Sequence, residues 1–163
     1  MLTREEAFAV LDTVPDPEVP AISVVELGIV REVTIATDGG VDVTITPTYS
    51  GCPAMFEIEK DIRAALETAG ASRVGIATVL APAWTTDWIG PAAREKLRRY
   101  GIAPPGKAES GDLVMLTRRT APVECPHCGS RDTVMKSEFG STACKAIHVC
   151  RSCRQPFDEF KAL

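Results

Sequence analysis

Two cysteine pairs in the last third of the chain, Cys125-Pro126-His127-Cys128 and Cys150-Arg151-Ser152-Cys153, have residue types and spacing that can do chemistry. A C-x-x-C turn presents two sulfurs on one side. Two such turns with 21 residues between them have the spacing of a tetrahedral four-thiolate metal site. Zinc is the default ion for this donor set, and an iron tetrathiolate or an iron–sulfur cluster fits the same four ligands. Closed sites of this kind hold a small fold together and leave no position open for catalysis. Gly129 follows the first knuckle and suits the left-handed backbone that such turns require. Arg154 stands at the equivalent place in the second, so that turn is expected to be less regular.

Two further thiols lie outside the knuckles. Cys144, in Phe139-Gly140-Ser141-Thr142-Ala143-Cys144-Lys145, reads equally as a buried small hydrophobe or as a fifth thiolate able to enter the metal's shell. Lys145 beside it can lower a thiol pKa. Cys52 stands in Thr46-Pro47-Thr48-Tyr49-Ser50-Gly51-Cys52-Pro53-Ala54, between a strand and a helix. Free amides and the positive helix end would stabilise a thiolate there, with Thr48 and Ser50 as further donors and Pro53 as first helical residue. A reactive or metal-binding thiolate is the expectation at Cys52, against the alternative of a structural cysteine. His127 and His148 read as surface or packing histidines. No histidine precedes residue 127, and no phosphate loop, zinc-protease helix or dinucleotide fingerprint occurs.

Elements that position these residues are legible in the pattern. Thr3-Arg4-Glu5-Glu6 is a capping box opening a helix to about Thr13, with Ala7, Val10, Leu11 and Val14 as its apolar stripe. Pro15 and Pro17 end it. Residues 29–37 and 41–46 alternate around Asp38-Gly39-Gly40 as a β-hairpin. A second helix spans 54–69 and stops at Gly70, with Met55, Ile58, Ile62 and Leu66 on one face; residues 73–80 form a third strand. A third helix runs from Pro91 to Tyr100 before Gly101. Pro104-Pro105-Gly106 is a linker, and residues 113–116 allow one more short strand. Ala81-Pro82-Ala83-Trp84 and Trp88 follow the third strand, where the tryptophans are expected to pack over the sheet edge.

Composition sets outer limits. No apolar run approaches the ~20 residues that span a bilayer, and the N-terminus lacks a signal-peptide layout, so a cytoplasmic protein with reduced thiols is expected. Residues 1–90 carry five Lys/Arg against fourteen Asp/Glu, and residues 91–163 thirteen against eight. Basic residues scattered among acids read as solvated faces, so nucleic acid is not the expected partner.

Asp16-Pro17-Glu18, Val25-Glu26-Leu27-Gly28, Pro47-Thr48-Tyr49-Ser50-Gly51-Cys52-Pro53 and Pro82-Ala83-Trp84-Thr85 resemble the motifs of the small iron–sulfur assembly domain of SufT-like proteins. That resemblance covers residues 3–103; the family typically has Asp where this chain has Glu26. Together with residues 139–145, the four knuckle cysteines and Pro156-Phe157, the whole chain resembles the phenylacetate-degradation protein D family. The resemblance implies a bacterial accessory protein of aerobic phenylacetate catabolism. Such a protein would help mature the metal centres of phenylacetyl-CoA epoxidase, with an oxygenase or reductase component as client. It also implies that Cys52 is the assembly domain's reactive cysteine.

The resulting expectation is an α+β protein. An assembly-like domain over 1–103 has a three- to four-stranded sheet, 104–122 connects, and 123–163 forms a zinc-ribbon-like module on Cys125, Cys128, Cys150 and Cys153. The ribbon is too short to fold on core burial alone, so a metal would supply the missing stability. Cys52 would carry iron or an iron–sulfur unit transiently, with Thr48 and Ser50 tuning it and Asp16 and Glu26 shaping the pocket. Cys144 would be a second thiolate. This describes a metallochaperone rather than a self-sufficient enzyme, and a homodimer is compatible with it. The alternative is a non-catalytic structural subunit of the epoxidase.

Overall fold

Thr3 caps the first helix reciprocally. Its hydroxyl accepts from the Glu6 amide at 3.2 Å, and the Glu6 carboxylate accepts from the Thr3 amide at 2.8 Å. The computed structural model describes residues 1–106 and 122–163. The strand expected over 113–116 lies outside the described residues. By contacts the chain divides into residues 1–84 with 88–93, and residues 85–87 with 94–163.

In the first unit, α1 (Arg4–Leu11) buries Ala7 and Leu11. It ends before Thr13 because the Thr13 and Val14 amides tighten onto the carbonyls of Val10 and Leu11, three residues back, ahead of Pro15. β1 (Val30–Ile35) pairs antiparallel with β2 (Val41–Ile45) across a turn in which Asp38 accepts from the Gly40 amide. α2 (Met55–Thr68) returns the chain, and β3 (Val74–Thr78) adds parallel to β2, giving the order β1-β2-β3. Ile58, Ile62 and Leu66 face the sheet and are buried, each contributing about 1.5–3 kcal/mol of transfer free energy. Arg63 donates to the Val74 carbonyl and Thr78 to Glu59, so α2 runs antiparallel to β3. Loops 46–54 and 79–84 therefore leave the same edge, where Ile45 lies opposite Thr78. Trp84 is buried beside that edge and its indole donates to the Leu27 carbonyl at 2.9 Å. A Cβ on Gly28 (φ +79°) would come within 3.0 Å of Trp88, so packing of the tryptophans depends on that glycine.

α3 (Pro91–Arg99) stops at Gly101, φ +90°. In the second unit β4 (Ile102–Ala103), β5 (Thr133–Ser137), β6 (Lys145–Cys150) and β7 (Pro156–Phe160) form a sheet of order β4-β7-β6-β5. β5, β6 and β7 are antiparallel neighbours, and β4 pairs parallel with β7. A boundary at residue 103 would split β4 from its sheet. Two residues carry no alternation to read, and their partners Asp158 and Glu159 lie far along the chain. The Thr85 hydroxyl and Thr86 amide both donate to the Leu163 carbonyl, at 2.8 and 3.1 Å, which holds 85–87 in this unit.

Candidate metal centre and thiol site

The two knuckles converge because β5 and β6 form a hairpin that carries Cys150 back opposite Thr133, close to the turn of Cys125 and Cys128. The four sulfurs lie within 4.8 Å of one another. Cys125 Sγ is 3.7 Å from Cys153 Sγ, and Cys128 Sγ is 3.6 Å from Cys150 Sγ. Those are not disulfide distances. A zinc–sulfur bond of about 2.3 Å gives tetrahedral sulfur–sulfur edges of about 3.8 Å, which those two edges match, so small side-chain shifts would close the set on such an ion. Ala103, Phe157 and Val123 pack around Cys125 and Cys150 and shield one side.

Both knuckles share one backbone plan. The Cys125 amide donates to the Ser130 carbonyl and the Cys150 amide to the Gln155 carbonyl, at 2.9 and 3.0 Å. Gly129 has φ +75° and Arg154 φ +63°. The second turn is therefore as regular as the first, contrary to expectation. Sulfur geometry forces the left-handed conformation on Arg154 despite its Cβ.

Metal-free thiols packed this closely share charge unequally. The Cys153 amide, with the neighbouring thiols, pulls Cys150 down to about 6. The Ser130 amide pulls Cys128 down, but desolvation and the sulfurs of Cys150, Cys153 and Cys125 prevail and push it up to about 12. Burial raises Cys125. His127 takes no part as a ligand: its ring packs on Gly101, where a Cβ would approach to 3.2 Å. His148 is buried, bonds Glu159 at 2.8 Å and stacks on Phe157, as a packing histidine.

Cys144 does not join the four sulfurs. It immediately precedes β6, and Cys150 ends that strand, so at about 3.3 Å per residue the two thiols are about 20 Å apart. Its sulfur is buried and lies 3.0 Å from the Thr142 hydroxyl. Exchange of Cys144 into the metal's shell is ruled out by this length of extended strand.

In the first unit, Cys52 lies half-buried in the loop after β2. Its amide donates to the Tyr49 carbonyl at 3.3 Å, and Gly51 has φ +90°, the third position of a type II turn. α2 begins at Met55 with Ala54 as its cap, so Pro53 is not the first helical residue and Cys52 stands short of the helix start. Burial therefore dominates and pushes the Cys52 thiol up; the Ala54 amide and the Tyr49 side chain oppose it, and the Glu18 and Asp16 carboxylates add to it. Asp16 is itself buried, accepting from the amides of Glu18 and Val19 at 2.9 and 2.8 Å.

The fold thus brings Asp16 and Glu18 into the field of Cys52 across more than thirty residues of chain. The sulfur's donors are Ala54 and Tyr49 rather than Thr48 and Ser50, which lie in the same loop, half-buried and exposed respectively. Glu26 closes the turn at 23–26, its carboxylate accepting from the Ser23 amide while the Ser23 hydroxyl accepts from the Glu26 amide. The Asp16-Pro17-Glu18 motif carried the signal for Glu18; nothing in the sequence distinguished Tyr49 from its neighbours.

Comparison with known proteins gives both units relatives. Residues 109–161 match the family model described as the PaaD zinc beta ribbon domain, and residues 4–79 the one described as an iron–sulfur cluster assembly protein. Over 97% of its length the chain is 48% identical to an Escherichia coli (strain K12) protein named as a putative 1,2-phenylacetyl-CoA epoxidase subunit, covering 92% of it. The chain belongs to this family, the phenylacetate-degradation protein D family. Its first part also has relatives of its own among maturation factors. It is 36% identical over 58% of the chain to the Porphyromonas gingivalis (strain ATCC BAA-308 / W83) Fe-S protein maturation auxiliary factor, 90% of which is covered. A solved Bacillus anthracis domain, described as a domain of unknown function DUF59, superposes with a TM-score of 0.55 at 28% identity, over 58% of this chain and 90% of that one. The expected α+β fold with a C-terminal four-cysteine ribbon therefore stands. Among the described residues no helix is long and apolar enough to cross a membrane.

Proposed function

We propose that this chain is a maturation factor for the metal centres of phenylacetyl-CoA epoxidase, carrying iron or an iron–sulfur unit on Cys52 to an oxygenase or reductase component. The observation that carries the reading is a near full-length match to a putative epoxidase subunit, in a chain whose first part also matches the iron–sulfur assembly model. The chemistry of the thiol site supports it. Cargo metal must displace a proton from a sulfur whose pKa is raised, so binding competes with protonation and is readily reversed. The Asp16 and Glu18 carboxylates, whose charge disfavours a bare thiolate, would favour a bound cation at the same sulfur, and the displaced proton passes to solvent. Reversible capture suits a carrier rather than a resident centre.

Cys125, Cys128, Cys150 and Cys153 would hold a zinc ion, which supplies cross-links that a ribbon of this size cannot replace by core burial. Their closed tetrahedral set leaves no coordination position for a reactant.

The test is cluster and di-iron loading of the epoxidase in a strain carrying only Cys52→Ala. Loading at a tenth of wild-type or less is expected. Wild-type loading would overturn the carrier role. The name borne by the E. coli relative favours a second reading, a structural component of the epoxidase assembly. That reading requires fixed-stoichiometry co-purification indifferent to Cys52→Ala.

A further inference from the structure

We propose that an exposed apolar rim beside Cys52, formed by Phe56 and Leu80–Ala83, docks a positively charged, apolar-anchored segment of the recipient polypeptide. This rests on the reading of Cys52 as the point of delivery. Phe56 is 73% exposed and Leu80 61% exposed, although both are large hydrophobic side chains. They are neighbours by construction. Thr78 of β3 meets Glu59 of α2, and α2 runs antiparallel to β3. Phe56 lies three residues before Glu59 on the same helix face, and Leu80 two residues after Thr78 on the same side of the extended chain. Ala81, Pro82 and Ala83 continue the rim, each exposed. Phe56 stands one turn along α2 from the Cys52 loop, so the rim and the thiol share the carboxyl-end edge of the parallel strands.

Charge selects the occupant. Glu59 and the Lys60-paired Glu57 lie within one turn of Phe56 on α2, and Asp16 and Glu18 act on Cys52 from beside the loop. Four of the unit's five cations are engaged away from the rim or paired, and the fifth, Arg31, is held over an aromatic ring. Arg63 and Arg73 bind at the opposite end of β3, to the Val74 carbonyl and to Asp42; Lys60 pairs with Glu57. Arg4 donates to the Val33 carbonyl, and Arg31 lies over Trp88 at 3.5 Å. An apolar surface framed by carboxylates fits a segment with an aromatic or aliphatic anchor and flanking Lys or Arg. Such a segment would be held while its own metal ligands face Cys52.

The test is binding of the zinc-loaded, iron-free full chain to an array of synthetic peptides tiling the oxygenase and reductase components. Basic peptides with an apolar anchor are expected to bind, weakening with salt, and acidic ones to fail. Phe56→Ser and Leu80→Ser should each weaken binding about tenfold or more. Glu57→Lys should weaken it at low salt, with the melting point lowered by no more than about a few degrees through loss of the Lys60 pair and of the acidic first-turn residue of α2. On chain whose four knuckle cysteines are already filled with zinc, Cys52→Ser should leave peptide binding intact while abolishing ferrous-ion binding, so failure of the docking surface is distinguishable from failure of the carrier reading. Absence of any binding peptide, binding indifferent to Phe56→Ser and Leu80→Ser, or sedimentation showing the rim closed by a second copy of the chain would each overturn the proposal.

Discussion

Replacing Arg154 with glycine should tighten metal binding by the ribbon. Arg154 holds φ +63° at the place where the first knuckle uses Gly129 at φ +75°. A residue with a Cβ loses about 1–2 kcal/mol in the left-handed conformation. Glycine would remove that strain but adds unfolded-state freedom of about 0.5–1 kcal/mol. The net gain is about 0.75 kcal/mol. Because folding of such a module is coupled to its metal, that gain appears as zinc affinity about three- to fourfold tighter. Gly129→Ala is the mirror experiment. No atom lies within 4 Å of a Cβ built there, so its penalty is backbone strain alone and should weaken binding by about the same factor. The double variant should return close to wild type. The assay is competition with a chromophoric zinc chelator at constant pH. If Arg154→Gly leaves affinity unchanged or lowers it while Gly129→Ala weakens it, the strain assigned to residue 154 does not exist.

Cys52 and Cys144 make separate predictions. Burial raises the Cys52 thiol, so on zinc-loaded, iron-free protein its alkylation by iodoacetamide, followed by peptide mass spectrometry, should be slower than free cysteine at neutral pH. The rate should keep rising about tenfold per pH unit beyond pH ~8.5, the ordinary thiol range; levelling below pH ~8 would mean that the helix start stabilises a thiolate after all. The same raised pKa makes the thiol form stabilising in the fold, an effect present at neutral pH and lost as pH climbs through the folded-state value. Cys144→Ser should leave one zinc per chain with unchanged affinity in elemental analysis and chelator competition, whereas Cys128→Ser should weaken the site severely. A tenfold loss with Cys144→Ser would make it a ligand.

How far the pattern could be read depended on the range of each interaction. The Thr3–Glu6 box, the 38–40 turn and the α2 face of Ile58, Ile62 and Leu66 arise from neighbours within a few residues, and each formed where expected. β4 was invisible because two residues have no period. The Cys52 environment was misjudged for a similar reason. A helix start is a local feature signalled by Pro53, but burial is set by the packed fold, and the Asp16 and Glu18 charges come from chain more than thirty residues away.

By itself the sequence determined the metal-binding chemistry of this protein. Four cysteines in two C-x-x-C turns specify a tetrathiolate site wherever a hairpin joins them, since coordination geometry depends on ligand type and short-range spacing. Only the tertiary structure decided the ranks of the remaining thiols. β6 separates Cys144 from the metal site by the length of an extended strand. The parallel pairing of β2 with β3 puts Cys52 at one sheet edge with an apolar rim. Burial, charge and distance at those two sulfurs are sums over the whole fold, and no local pattern encodes them.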